Sequence, residues 1–237
     1  MILMQFGRRL TSRVLVGLVL AALGLAAQGV HPKSGRRIAP VMGVGGADWL
    51  ERVEREREES PTKAIEMLGL KPGMVVADVG AGVGYYATRM ANKVGPMGKI
   101  YANDIQPEML TLLRKRLAEE KYTNIELVLG TETDPKLPKG ALDMMIMVDV
   151  YHEFAQPQRM LRKLKECLKP DGRLVLLEFR KEDPYVPIRT EHKMSITEAK
   201  LELEAEGFVL EKVLHDLPWQ HMLFFKKAPE SGAPAAL

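Results

Sequence analysis

The segment Val75-Val76-Ala77-Asp78-Val79-Gly80-Ala81-Gly82-Val83-Gly84-Tyr85 leads from a hydrophobic run through a carboxylate into three glycines at alternate positions. Lacking a Cβ, glycine takes backbone angles closed to other residues and lets the chain come close to a ligand. The spacing is G-x-G-x-G; the dinucleotide fingerprint G-x-G-x-x-G needs a glycine where Tyr85 stands. Asp78 beside such a turn can meet an ammonium, while loop N–H groups and the next helix start meet a carboxylate, which suits a zwitterion. About two dozen residues on, Asp104 closes another apolar run, where an acid suits bidentate hydrogen bonds to ribose hydroxyls. Further along comes Asp149-Val150-Tyr151-His152-Glu153-Phe154. There His152 can take a proton near neutral pH, and Glu153 can orient it or act instead.

Such residues need a scaffold that gathers strand ends. From Lys71 onward the chain alternates apolar runs with helical patterns, which predicts a doubly wound α/β sheet. Strands are predicted at Val75–Val79, Lys99–Asn103, Ile125–Leu129, Leu142–Val148 and Arg173–Phe179, with a closing hairpin of Phe208–Leu214 and His221–Lys226. Their continuous apolar character fits a sheet covered on both faces. Helices are predicted at about Tyr85–Lys93, Pro107–Glu120, Pro157–Leu168 and Ile196–Glu206. Pro107 and Pro157 suit a first helical turn, Ser195 and Glu198 form a capping box, and Gly207 suits a helix end. The Lys169-Pro170-Asp171-Gly172 turn feeds the fifth strand. Ahead of the sheet, Asp48 and Glu51 read as a capping box for a charged helix reaching about Glu59, lying over the domain on Trp49, Leu50 and Val53. In an open α/β sheet, ligands sit beyond the carboxyl ends of the strands, so the ends at Asp78, Asp104, Gly130-Thr131-Glu132, Asp149 and Glu178 form one candidate site.

Asp78, Gly80, Gly82, Gly84 and Asp104 together resemble motif I and the ribose acid of class I S-adenosylmethionine (SAM)-dependent methyltransferases, over about residues 60–227. The resemblance implies a Rossmann-like sheet of seven strands, mostly parallel, with the last antiparallel between the fifth and sixth, and SAM as cofactor. It carries cofactor binding onto Asp78, Gly80, Ala81, Gly82, Gly84 and Tyr85, onto Asp104, Ile105 and Gln106, onto Thr131 or Glu132 at the adenine edge, and onto Asp149. Tyr151, His152 and Glu153 are the catalytic candidates, where methyl donor and acceptor meet in this family. Asp104-Ile105-Gln106-Pro107-Glu108-Met109-Leu110 and Leu168-Lys169-Pro170-Asp171-Gly172-Arg173-Leu174 are most similar to the small-molecule branch typified by ubiquinone and menaquinone biosynthesis enzymes. The implied activity is methyl transfer to a small acceptor, hydrophobic or quinone-like. A donor-binding protein without turnover and a protein or RNA methyltransferase are the alternatives. There is no [DNS]-P-P-[YFW] after the fourth strand, no Pro-Cys, and one cysteine where arsenite methylation needs several.

Composition narrows the rest. The chain has 237 residues, 46% hydrophobic and 27% charged, with a net charge of +3 that comes partly from the amino-terminal Arg8, Arg9, Arg13, Lys33, Arg36 and Arg37. The remainder is near neutral and makes no electrostatic case for nucleic acid. Cys167 stands alone and reads as buried packing. Residues 1–30 combine basic residues, an apolar run from Val14 to Ala27 and small residues, the pattern of a secretory signal. That predicts export or membrane anchoring, with a cytoplasmic protein as the alternative. Residues 31–47 read as a flexible approach that, with the helix after it, can cover the donor. Residues 228–237 read as a disordered tail. The long connection Arg180–Met194 offers Tyr185, Arg189 and His192 as acceptor contacts. His152, Glu178, His192 and His221 do not follow a known ligand spacing, so no metal site is predicted. The oligomeric state is not specified.

Overall fold

The structure is a computed structural model and describes residues 29–229. Eight strands form one sheet: β1 (Val75–Val79), β2 (Lys99–Asp104), β3 (Ile125–Leu129), β4 (Leu142–Val148), β5 (Leu168–Arg180), β6 (Lys193–Met194), β7 (Phe208–Leu214) and β8 (Gln220–Lys227). The order is β3-β2-β1-β4-β5-β8-β7. Strands β1 to β5 pair in parallel, and β8 runs antiparallel between β5 and β7. This is the expected doubly wound sheet with its reversed last strand. The two-residue β6, parallel to Phe179 and Arg180, is an addition.

Seven α-helices and three short 3-10 turns (Val44–Gly46, Tyr151–Glu153 and Thr190–His192) complete the described chain: α1 (Ala47–Leu50), α2 (Arg55–Glu59), α3 (Pro61–Met67), α4 (Tyr85–Val94), α5 (Pro107–Glu120), α6 (Pro157–Cys167) and α7 (Ile196–Glu204). Alternating strand residues face opposite cores. Val76, Ile100, Ile146 and Leu177 pack against Met90 and Val94 of α4 and Leu113 of α5. Ala77, Met145, Leu176 and Phe225 pack against Leu161 and Leu164 of α6 and Leu203 of α7. Each of the larger of these side chains, taken fully from water, contributes roughly 1.5–3 kcal/mol, so both faces hold the strand ends in register.

Local signals explain the boundaries. Pro107 and Pro157 open α5 and α6, and the Ser195–Glu198 capping box is formed at α7. Residues 169–172 bulge out of β5: Leu168 pairs with Leu142, and the ladder resumes with Arg173 on Met144. The amino-terminal helix differs from expectation. It is two short pieces, and Asp48 sits inside α1 while Glu51 follows it, so no capping box forms. The cause lies in side chains: Arg52 reaches the Trp49 carbonyl, Glu58 and Glu59, and Arg55 reaches the Leu50 carbonyl, which folds the chain back at this point. Val53 is exposed rather than an anchor.

No helix among the described residues is long and apolar enough to cross a membrane. The signal-like leader lies outside the described residues apart from Gly29 and Val30, and the tail lies outside them beyond Pro229.

Candidate active site

The strand order reverses between β1 and β4, and a cleft opens there at the carboxyl ends. It holds about 840 Å³ of empty space, its open mouth included. Gly80 and Gly82 form one wall, Asp104, Ile105 and Gln106 another, and Glu132 stands at its edge. Val79, Met109, Val148, Val150, Phe154 and Met160 supply apolar surface. Both glycines are needed as such. Gly80 has φ +76°, and a Cβ there would lie 2.6 Å from Val150 Cγ1. Gly82 has φ +53°, and its Cβ would lie 2.8 Å from Leu50 Cδ1. The Asp104 carboxylate accepts the Gly82 N–H and the Gln106 N–H, each at 2.9 Å, and so ties the glycine loop to the end of β2. A planar base against apolar walls, with a diol at a fixed carboxylate, is what these surfaces fit.

Several predicted residues lie behind this cleft rather than on it. Asp78 is buried beneath the loop with Oδ2 unpartnered among the described residues. Burial pushes its carboxyl up to about 7, against the pull of Arg55. Ala81 donates its N–H to the Asn103 carbonyl, and Gly84 opens α4 with its Cα against Leu113, so both shape the turn. Tyr85 is stacked between Arg55 and Arg89, whose guanidinium carbons lie 4.3 Å and 3.6 Å from its ring centre. Thr131 folds onto Asp134 in a surface turn, leaving Glu132 as the residue from this strand end on the cleft.

A second cavity of about 1170 Å³ adjoins the first, and Val41, Met42, Leu50, Val148 and Glu153 line both. Its remaining walls include Trp49, Phe179, Pro187 and Ile188, with Arg55, Asp149, His152, Arg189 and His192 as polar groups. Asp149 has φ +53°, its Oδ2 accepts from Gln220 Nε2 at 2.7 Å, and Oδ1 is buried without a partner among the described residues. Burial, then Glu59 and Glu178, hold its carboxyl well above the ordinary range. Glu153 is likewise pushed up to about 7, chiefly by burial, and accepts the Met42 N–H at 3.2 Å.

His152 sits on a short 3-10 turn, Tyr151–Glu153, that follows β4. Its Nδ1 lies 2.6 Å from Glu178 Oε2, and its Nε2 lies 3.2 Å from His192 Nδ1. Arg189 Nη2 stands 3.1 Å from His192 Nε2. A guanidinium can only donate, so His192 Nε2 accepts and its proton is on Nδ1, directed at His152 Nε2. The His152 proton is then on Nδ1, directed at Glu178. Burial, His152 and Arg189 hold His192 below its ordinary pKa.

Tyr151 turns away from both cavities. It is fully buried, edge-on to Phe154 and beneath the Arg36 guanidinium, so its place is in the core. Tyr185 is exposed at the loop tip, whereas Arg189 and His192 of the same loop reach the second cavity. His221 is buried with neither ring nitrogen partnered among the described residues, and Cys167 is buried as expected.

Two contributors were not legible in the sequence. Arg55 and Glu59 come from a segment of alternating charges that reads as a solvated face, yet both are buried and 2.6 Å apart. The stretch 31–47 is expected to cover the donor, but the sequence does not show what holds it: Arg36 is clamped to Glu202 through Nε at 3.0 Å and Nη2 at 2.9 Å, with Nη1 on the His152 carbonyl at 2.9 Å. This anchor lays Val41 and Met42 over both cavities.

Comparison with known proteins identifies the family. The family described as "Methyltransferase domain" matches residues 70–220. A protein-L-isoaspartate O-methyltransferase of Methanothrix thermoacetophila is 33% identical over 111 residues, 47% of this chain and 50% of that protein. A ubiquinone/menaquinone biosynthesis C-methyltransferase of Ectopseudomonas mendocina is 31% identical over 118 residues, 49% of this chain and 46% of that protein. The chain thus spans about half the length of the curated relatives it matches. Among solved structures, a SAM-dependent methyltransferase from Aquifex aeolicus superposes with a TM-score of 0.74 at 28% identity, covering 78% of this chain and 98% of that one.

Proposed function

Since the chain belongs to the methyltransferase-domain family, as a class I SAM-dependent methyltransferase, we propose that it methylates a small hydrophobic acceptor held in the second cavity. The observation that carries this reading is the wall of Val41, Met42, Leu50, Val148 and Glu153 common to both cavities. Because these residues border both cavities, ligands in the two would lie side by side where the cavities adjoin. Gly80, Gly82, Asp104 and Glu132 are assigned to the nucleoside, with Met109, Val150 and Phe154 against the base. Asp149 Oδ1 and the Arg55 guanidinium, on the adjoining side of the second cavity, are assigned to an ammonium and a carboxylate. An ammonium there would offset the burial that holds the Asp149 carboxyl above its ordinary range.

SAM supplies a methyl on a sulfonium, which already carries a good leaving group. What the protein adds is position: reacting atoms held at near-attack distance account for most of the rate such a site can give. Trp49, Phe179, Pro187 and Ile188 suit the apolar body of an acceptor, and His152 and His192 face its polar edge. A quinol or phenol has this two-sided character, and a base is required only where the attacking atom still holds its proton.

The test is release of S-adenosylhomocysteine from SAM over a panel of quinols, phenols, amines and thiols. Turnover is expected with an aromatic hydroxyl or quinone-like member. Tight binding of S-adenosylhomocysteine with no turnover on any member would favour a donor-binding protein instead.

A further inference from the structure

Transfer of a methyl group does not by itself account for the polar chemistry gathered on the second cavity. His152, His192 and Glu153 each offer a ligating atom there, with all these atoms within 4.8 Å of one another. His152 and His192 lie 40 positions apart and are brought together by two short turns, Tyr151–Glu153 and Thr190–His192, with rings nearly perpendicular at 87°.

We propose that His152 Nε2, His192 Nδ1 and a Glu153 carboxylate oxygen form a seat for a divalent transition cation. The proposal rests on reading the second cavity as the acceptor chamber and names what orients the acceptor there. Three features carry it. First, two imidazole nitrogens bound to one ion at about 2.0–2.1 Å in tetrahedral geometry stand roughly 3.3 Å apart, and these two stand at 3.2 Å. Second, His152 Nδ1 is held by the buried carboxylate of Glu178, which leaves Nε2 as the lone-pair nitrogen. A carboxylate on the far ring nitrogen is the usual outer support of a metal-bound histidine. Third, Glu153 gives one oxygen to the Met42 N–H and keeps the other available.

Two histidines and one carboxylate leave open coordination positions, and here those positions face the cavity. An acceptor with a hydroxyl, and a second oxygen beside it, would fit them. The chemistry such an ion supplies is a lowered pKa for a coordinated hydroxyl.

The hydrogen bonds set a competing state. With Arg189 donating to His192 Nε2, the His192 proton occupies Nδ1, the atom the cation needs. Binding requires that proton to leave or to move to Nε2, and either way the Arg189 hydrogen bond is disturbed. Arg189 is largely exposed and also lies 3.3 Å from Glu191, so it can swing aside. Arg189 therefore opposes the ion both by charge and by tautomer.

The test uses untagged full-length protein, stripped with a chelator and titrated with cobalt(II), whose visible spectrum reports nitrogen ligation. The wild type is expected to bind one equivalent with bands of a four- or five-coordinate site. Loss of an outer partner of a metal ligand costs about 10- to 100-fold in affinity, so loss of a ligand in His192→Ala should cost at least about 100-fold and weakening of one in Glu153→Gln at least about 10-fold. Arg189→Gln should tighten binding several-fold, an effect a merely structural role would not produce. Circular dichroism of each variant shows that the fold survives, and the calorimetric affinity of His192→Ala and Arg189→Gln, which lie outside the donor cleft, for S-adenosylhomocysteine shows that the cleft does. No cobalt spectrum in folded wild type, or unchanged affinity in His192→Ala, would overturn the seat while leaving the methyltransferase reading intact. Failure to bind S-adenosylhomocysteine would instead strike at that reading.

Discussion

His152 Nδ1 lies 2.6 Å from Glu178 Oε2, and both side chains are closed off from solvent. The other oxygen of Glu178 accepts the Tyr151 N–H at 3.0 Å, so one carboxylate at the end of β5 fixes both the ring and the backbone of the turn after β4. Glu178→Ala leaves two buried donors unpaired and should cost about 3 kcal/mol of stability. Glu178→Gln, whose amide oxygen serves one donor while its NH2 faces the other, should recover only part of it. Urea unfolding of the three proteins checks this, and equal midpoints would contradict it.

Arg36 ties the amino-terminal stretch to α7. Its pair with Glu202 is buried on both sides and bidentate, with the His152 carbonyl as a third partner. Removing one member of a buried ion pair strands the other, so Arg36→Ala should destabilise the protein by roughly 3–5 kcal/mol. Val41 and Met42 then lose their anchor, and affinity for S-adenosylhomocysteine should fall at least tenfold in protein that remains folded at low temperature. Thermal melts with calorimetry below the transition measure both. An unchanged affinity would mean that this stretch covers the cavities without contributing to binding.

Asp78 gives stability a pH dependence of known sign. Its carboxyl is raised from 3.8 to about 7, mainly by burial. The folded chain therefore holds the proton more tightly than the unfolded one. Its contribution is fully present below about pH 3.8 and is lost as pH rises through about 7. Asp78→Asn cannot ionise, so it should match the parent near pH 4 and gain on it toward pH 8, by on the order of 2–4 kcal/mol. Denaturant unfolding across this range measures the difference. Parallel profiles would contradict the assignment.

Much of the scaffold could be read from the residues because its signals are local. Apolar runs such as Val75–Val79 and Leu142–Val148 are bounded by turn formers, and Pro107, Pro157 and Ser195 mark helix starts. The cleft's outline followed from Gly80, Gly82 and Asp104 because they occupy fixed offsets from strand ends. What escaped depends on tertiary partners. Arg36 looks like any basic residue in a Gly/Pro-rich stretch until Glu202 faces it, 166 positions away. Arg55 and Glu59 carry no sign of burial in a run of charges. Tyr151 adjoins His152 in sequence but points to the opposite side of the turn, and Asp48 lost its cap to the arginines that follow. The two-residue β6 has no pattern of its own and exists because Phe179 and Arg180 offer it an edge.

The central claim is that a SAM-type nucleoside occupies the cleft between the glycine loop and Asp104. Calorimetric titration of S-adenosylhomocysteine into wild type and Asp104→Ala tests it most directly. Saturable binding is expected for the wild type and a loss of about 100-fold for the variant, whose circular dichroism should be unchanged. Absence of binding to folded wild type, or equal affinity in both proteins, would contradict it.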